Sequence, residues 1–401
     1  MFARGLQALV LTAPETLRWA TGAFPGVATF WRRAGAAFLI VPAAAAEPPI
    51  AIVGDLQAAD FALASGISDV RSHRLWVETA DFDADAGNAE NPLAGIRPSQ
   101  PGSREPRPGT FDAPEAFGLL ADALAEKGQS RGRIGLEMGF VPMADYPLFG
   151  RAVRQADWRD CTELVARLRA IKHRTEIARL DEAARQSMGG LRTLLGALRP
   201  GLDAAEMTTI WRDGARATAR RNEAPAAGGD WAYIAVGGDG FAPGGVARAG
   251  DLVKIDVGCV VDGYSSDGGR TAVIGAPSAT QRAVHDALRA GFDAGLEMLK
   301  PGVRLAEIHA EVSKTIRAKG LDHYSRGHFG HGVGASIWSE EWPFISADSP
   351  ALAEPGMVLA FETPYYIRGL GGFIIEDQFL IGKRGVEVMG EASRDLFEAP
   401  A

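Results

Sequence analysis

The sequence predicts an α/β protein built as two domains, residues 1–160 and 161–401. Three observations carry that prediction. The chain has 401 residues, more than one ordinary hydrophobic core fills. Short apolar runs bounded by turn signals alternate with helical stretches through its first 80 residues. From Val253 to Thr271 a strand, an Asp-Gly turn and a second strand follow one another.

Ala8 to Leu11, Ala37 to Val41 and Ile50 to Val53 read as buried strands, and Thr16 to Ala20 and Leu56 to Ala64 as helices. From 81 to about 112, Asp81, Asp83 and Asp85 lead into a stretch crowded with Pro, Gly, Asn and Ser. That segment predicts a long surface loop, either a solvated insertion or a lid or intersubunit contact. A helix from Pro114 to Lys127, a strand from Arg133 to Met138 and a helix before Trp158 complete the domain. Cys161 to Arg174 reads as the link to the second domain. Beyond it, Ile177, Leu180, Ala183, Ala184, Met188 and Leu191 recur at helical spacing, so a long helix runs from Thr175 to about Leu198. Pro200-Gly201 ends it.

An internal echo follows. Leu198-Arg-Pro-Gly-Leu-Asp-Ala-Ala-Glu-Met207 returns 101 residues later as Leu299-Lys-Pro-Gly-Val-Arg-Leu-Ala-Glu-Ile308. Each copy ends one helical stretch and opens another. The period is too long for a solenoid, so it points to two half-domains of similar build with a site between them.

Composition excludes several classes. The formal net charge of −8 argues against a nucleic-acid or anionic-membrane partner. Two cysteines, Cys161 and Cys259, give no disulfide framework and fit a reducing compartment. No apolar stretch approaches the roughly 18–20 residues of a membrane span, and the start of the chain lacks the pattern of a signal peptide. The expectation is a cytoplasmic protein.

In the run at 253–271, Val253, Ile255 and Val257 face away from Lys254 and Asp256, and the second strand delivers Asp267. Two carboxylates aimed into one cavity need a cation to stay ionised. Downstream, Gly330-His331-Gly332 holds a histidine between glycines. Two apolar runs, Pro355 to Glu362 and Gly371 to Glu376, each end in a glutamate. Singly, each of these is an ordinary turn or strand end. Together, four carboxylates and one imidazole suit a pair of divalent first-row metals.

At these residues the chain resembles the pita-bread metallopeptidase family of prolidase, aminopeptidase P and methionine aminopeptidase. The likeness covers 165–395, and 1–160 is similar to the small N-terminal domain of the creatinase and prolidase branch. The resemblance implies a C-terminal pita-bread domain with pseudo-twofold duplicated halves. It also implies two divalent ions, manganese first, with iron, cobalt or zinc as alternatives. Asp256 would bind one metal, Asp267 and Glu376 would bridge, and His331 and Glu362 would complete the other. Glu362 would also shuttle the proton of the attacking water. A homodimer is implied too, in which Trp31 or the 81–112 segment lines the partner's pocket.

Where relatives carry substrate-handling histidines, this chain has Gly244, Gly327 and Trp338, with His328 placed to substitute for the second. Ile374 stands where an arginine often grips a substrate carboxylate. Those exchanges predict a re-cut pocket with Trp31, Trp76, Trp338, Trp342, Tyr365 and Tyr366 as candidate walls. Such a pocket favours a less charged substrate, or a cationic one held over an indole. Three readings stay open. One is a dinuclear hydrolase cleaving a C–N bond in a dipeptide or small amide. The second is a metal-dependent lyase of the dimethylsulfoniopropionate-cleaving type, and the third a non-catalytic binding module.

Overall fold

The computed structural model describes residues 1–86, 91–98, 106–238, 240–336 and 340–401. It divides into two compact units, Met1–Val165 and Ala166–Ala401.

In the first unit, β1 (Ala8–Leu11) leads into α1 (Pro14–Thr21), then β2 (Phe38–Pro42) and β3 (Ile50–Gly54). These are followed by α2 (Ala58–Ser65), β4 (Asp69–His73), a small ribbon of β5 (Ala80–Phe82) with β6 (Ile96–Pro98), and α3 (Ala113–Glu126). The unit closes with β7 (Arg133–Leu136), α4 (Tyr146–Ala152), β8 (Asp157–Asp160) and α5 (Thr162–Ala170), which crosses the boundary between units. The sheet runs β4-β3-β2-β1-β7-β8. Its core is aromatic, with Phe38, Phe117 and Phe149 meeting edge to face. Two expectations change here. The 81–112 segment is anchored by the β5–β6 ribbon, although residues 87–90 and 99–105 lie outside the described residues. The expected link from Cys161 holds the helix α5, while the helix expected before Trp158 is α4.

The second unit opens on α6 (Arg174–Ala197) and α7 (Ala204–Arg221), then the antiparallel strands β9 (Gly229–Val236) and β10 (Leu252–Val261). The latter turns through Asp262 and Gly263, both at positive φ, into β11 (Tyr264–Ser265) and β12 (Gly268–Ile274). A second helix pair follows, α8 (Ala279–Met298) and α9 (Leu305–Ala318). The chain ends in β13 (His328–Gly332), β14 (Glu341–Ser346), β15 (Val358–Glu362), β16 (Tyr365–Ile367), β17 (Gly371–Phe373), β18 (Glu376–Ile381), β19 (Val386–Met389) and β20 (Phe397–Ala399). No helix among the described residues is long and apolar enough to cross a membrane.

The sequence echo is a structural one. Each copy of the motif links two antiparallel helices, and each makes the same three backbone bonds to a later segment. Gly201 N donates to Ala247 O and Gly302 N to Ala353 O, both at 2.8 Å. Ala204 N donates to Gly245 O, and Leu305 N to Ala351 O; in return Ala247 N donates to Leu202 O, and Ala353 N to Val303 O. The main sheet contains β11-β10-β12-β18-β15-β13-β14, with β9 beside β10. Its central strands therefore run β9-β10-β12 in one half and β13-β15-β18 in the other, meeting at β12 and β18. Each half has its own apolar core, one around Trp211, Ile255 and Val257, the other around Phe292, Phe361 and Phe379. At the seam the two halves share a single register pair, Gly269 with Glu376.

Candidate metal centre

That seam carries the ligand-type side chains. Asp256 on β10 pairs with Gly269 on β12, Gly269 with Glu376 on β18, and Glu376 with Glu362 on β15. Paired residues of antiparallel strands project to the same face, so Asp256, Glu376 and Glu362 form one row across four strands. Asp267 lies two residues before Gly269. His331 on β13 pairs with Ala360, two residues before Glu362, and so joins the same face. Donor atoms of Asp267, His331 and Glu376, all buried, lie within 4.8 Å of one another.

Local structure sets the histidines. Three residues of a regular strand would place His328 and His331 on opposite faces. Between them the register slips, His328 pairing with Ser346 and His331 with Phe344. The bulge needs Gly330, whose φ of 142° is open to glycine alone and whose Cβ would collide with the Ala360 carbonyl oxygen. His331 Nδ1 lies 3.0 Å from its neighbour's carbonyl, Gly332 O, which makes Nδ1 the protonated nitrogen. Nε2 is left toward Asp267 Oδ2, 3.4 Å away. His328 Nδ1 accepts from Gly330 N and lies 3.7 Å from Glu362 Oε1.

The electrostatics are those of crowded anions. Burial, then Asp267, Glu362 and Asp256, hold the Glu376 carboxyl well above its ordinary range. Burial likewise raises Asp256 to about 6, Lys254 pulling it back and Asp267 pushing it up. For His331 burial disfavours the imidazolium, but Asp267 and Glu362 overcome it and raise the group to about 9. His328 is depressed, chiefly by burial. Each outer carboxylate has its own cation. Lys254 Nζ lies 2.9 Å from Asp256 Oδ2, and Arg326 Nη2 lies 2.7 Å from Glu362 Oε1. This set fits divalent cations: hard oxygen donors, one imidazole with Nε2 presented, and buried anions whose mutual repulsion a cation would relieve.

The candidate pocket residues separate. Tyr366 lies beside the row, its ring under Lys254 Nζ at 5.3 Å and met edge-on by Phe241. Tyr365 instead packs edge-on against the buried Tyr324. Ile374 is fully buried and folds over Gly269, where a Cβ would lie 2.9 Å from its Cδ1. Trp342 packs on the core, under the Arg167 guanidinium. Trp31 belongs to the first unit, edge-to-face with Trp76 at 4.8 Å. Trp338 lies outside the described residues. Sequence reading passed over the two cations as site residues. Lys254 was legible as the residue two before Asp256 on an alternating strand; Arg326 has no periodic signal and depends on tertiary folding.

Comparison with known proteins agrees with this geometry. Residues 178–383 match metallopeptidase family M24, and residues 1–171 match the Creatinase/Prolidase N-terminal domain. The chain is 31% identical over 300 residues to the uncharacterized peptidase YqhT of Bacillus subtilis (strain 168), covering 71% of this chain and 81% of that protein. It is 36% identical over 168 residues to the Xaa-Pro dipeptidase of Pyrococcus furiosus, covering 41% of this chain and 48% of that one. The solved structure of the Xaa-Pro dipeptidase from Bacillus anthracis superposes with a TM-score of 0.78 at 21% identity, over 99% of this chain and 96% of that one, a likeness of fold. With its duplicated helix pairs, its Asp/His/Glu seam and these matches over both units, the chain belongs to metallopeptidase family M24 and is a metallohydrolase with a creatinase/prolidase-type N-terminal domain.

Proposed function

We propose that the chain is a dinuclear metallopeptidase that hydrolyses the C–N bond of dipeptides, those of Xaa-Pro type first. The observation that carries this reading is the buried trio Asp267, His331 and Glu376, with the outer carboxylates Asp256 and Glu362 in one row beside it. Asp256, Asp267, His331, Glu362 and Glu376 would hold the two ions between them. Manganese leads the candidates for a set of four carboxylates and one imidazole. Bound there, two such ions supply Lewis acidity to a carbonyl and acidify a water molecule.

The protein groups then have distinct tasks. Glu362 takes the proton of the attacking water, and Arg326 at 2.7 Å fixes the oxygen that receives it. His328 stands 3.7 Å from the same oxygen, its imidazole kept neutral by burial; because its Nδ1 accepts from Gly330 N it offers an Nε2–H donor, and Glu362 itself returns the proton to the leaving amine. His331 keeps its Nε2 available because Nδ1 donates to Gly332 O. Similarity to the Xaa-Pro dipeptidase of Pyrococcus furiosus supports the substrate class.

Metal content together with turnover on Xaa-Pro dipeptides, other dipeptides, N-acyl amides and dimethylsulfoniopropionate tests the reading. About two ions per chain with dipeptide cleavage is the expected result, and Asp267→Asn should lose both. Alkene release from dimethylsulfoniopropionate without peptide cleavage would replace hydrolysis by elimination. A protein that takes up no metal would end the catalytic reading.

A further inference from the structure

The rear of the seam holds a cavity for which the metal chemistry has no use. It measures about 510 Å³, within the range of about 300–1,000 Å³ typical of small-molecule sites. Three guanidiniums from three elements line it: Arg192 from α6 in the first half, Arg289 from α8 in the second, and Arg394 from the segment between β19 and β20. Asp377 lines it as well. Neighbours on a strand face opposite ways, so this lining lies across the sheet from Glu376 and the ligand row.

Among the described residues, these cations have donors to spare. Arg192 makes one side-chain hydrogen bond, from Nη1 to the Glu391 carbonyl, and has no carboxylate partner. Arg394 spends Nε on Asp377 Oδ2 and keeps both Nη groups. Its guanidinium lies 5.0 Å from the ring centre of Phe292 and 5.6 Å from that of Phe379, which fixes its plane. Arg289 gives Nε to Asp293 and Nη1 to Asp395, leaving Nη2. The carboxylates, by contrast, are spent or turned to water. Asp377 is shared between Arg394 and the buried Arg270, one anion for two cations. Asp395 accepts from the Ser393 hydroxyl, and its side chain is 85% exposed. Glu391 is exposed too.

We infer that this cavity binds a small oxyanion, a phosphate or a dicarboxylate, between Arg192, Arg289 and Arg394. Guanidiniums gathered round one cavity repel one another, and an oxyanion among them replaces that repulsion with charge-assisted, bidentate bonds. Val388 and Ala392 complete the lining with apolar surface, so the anion can carry a small organic body. Arg192 and Arg289 come from the leading helices of the two duplicated halves, so the bound anion bridges the halves from behind. No ligand of the metal centre takes part, and the inference stands apart from the hydrolase reading.

The test is calorimetric titration of the full chain, metal-free so that no ion can take the probe, with inorganic phosphate and with succinate at constant ionic strength set by chloride. Wild type should bind one probe anion per chain. Arg192→Met and Arg289→Met should each weaken that binding about tenfold, the loss expected for one charge-assisted bond. Lys254→Met, on the ligand face, should leave it within about twofold. Tighter phosphate assigns the cavity to a phosphorylated ligand, and tighter succinate to a dicarboxylate. Protection of Arg192 and Arg289 from phenylglyoxal by the same probes, read by mass spectrometry on wild type, gives the answer without a substitution. Absence of saturable binding of either probe below about 10 mM overturns the inference. So does binding that survives both arginine variants unchanged, or that is lost in Lys254→Met.

Discussion

Arg270 offers the most searching test of how the fold holds the candidate metal centre. It is 1% exposed and lies on β12, next to the single register pair that joins the two halves. Its guanidinium spends every donor. Nη1 donates to Gly269 O at 2.7 Å and to Glu376 O at 2.5 Å, tying the two residues of that pair. Nη2 donates to Asp377 Oδ1 at 2.5 Å and Ala392 O at 2.8 Å, and Nε to Ser393 O at 2.6 Å. Arg270 thus stands in for the ladder bonds that β12 and β18 do not make. Replacing it by Met fills much of the volume but leaves the Asp377 carboxylate, also 1% exposed, with Arg394 as its remaining cation.

Breaking a buried ion pair from one side costs about 3–5 kcal/mol. The lost carbonyl bonds add to this, and the retained Arg394 contact subtracts, so about 4 kcal/mol is the expected loss. In a unit of this size that lowers the unfolding temperature by about 8–16 °C. The same change frees Glu376 from its support, and loss of a group that orients a ligand lowers metal affinity about 10–100-fold. Thermal unfolding of the metal-free protein and stepwise metal titration read the two effects. Arg270→Lys, with three donors instead of five, should fall between wild type and Arg270→Met. A fall of less than about 2 °C, or unchanged metal affinity in a destabilised Arg270→Met, would refute the argument.

Two further outcomes follow from the same geometry. His331 is raised to about 9 in the metal-free protein, so at pH 7.5 metal binding at Nε2 should release at least one proton, to which the raised Glu376 carboxyl adds wherever it still holds its own. Apparent affinity should fall about tenfold per pH unit from 9 downward and more steeply below 6, where Asp256 also holds a proton. Both folded-state values lie above the ordinary ones. The stabilisation is therefore complete below 6.5 for His331 and 3.8 for Asp256, and disappears as pH rises through about 9 and about 6, so metal-free protein should unfold at lower temperature at pH 9 than at pH 5. Calorimetry in buffers of differing ionisation enthalpy checks the proton count, and less than half a proton at pH 7.5 would contradict it. Gly330→Ala should lower stability by about 2–4 kcal/mol, because φ of 142° and the Ala360 carbonyl both oppose a Cβ. It should also weaken metal binding by shifting His331, and a variant with unchanged titration would show that the bulge does not align the ring.

The parts of this architecture written in short-range periodicity were legible in the sequence. Alternation around Asp256, the Asp262-Gly263 turn and the amphipathic stripe of α6 each report a local rule that the fold obeys. The repeated motif was legible because both copies perform one task, bonding a helix-pair corner to a returning segment. Elements without an apolar rhythm were not. β8 is Asp157-Trp-Arg-Asp160, polar and four residues long, and α5 sets Glu163, Arg167 and Arg169 among its apolar residues. The cationic half of the site was hidden for another reason. Lys254 and Arg326 act through partners on the sheet face, and Arg270 through residues more than 100 positions away, Glu376, Asp377 and Ser393. Such contacts follow from register, and register is set by the whole sheet.

Duplication also explains why the charges come in pairs. From either edge toward the seam, the central strands run β9-β10-β12 and β13-β15-β18, and the ligand row reads Asp256, Gly269, Glu376, Glu362. Each half brings one outer carboxylate held by its own cation, Lys254 for Asp256 and Arg326 for Glu362. The inner trio crosses the seam, Asp267 from the first half and His331 with Glu376 from the second. A cation held by that trio joins the halves where they share only one ladder pair, so its binding free energy becomes cohesion of the seam. Arg270 acts on the opposite side of the same strands, through Asp377, and binds the seam from behind. The site therefore needs no rigid loop to hold it. Its geometry comes from two halves of one sheet meeting, fixed on one face by carboxylates that call for a cation and on the other by a guanidinium that already has its anion.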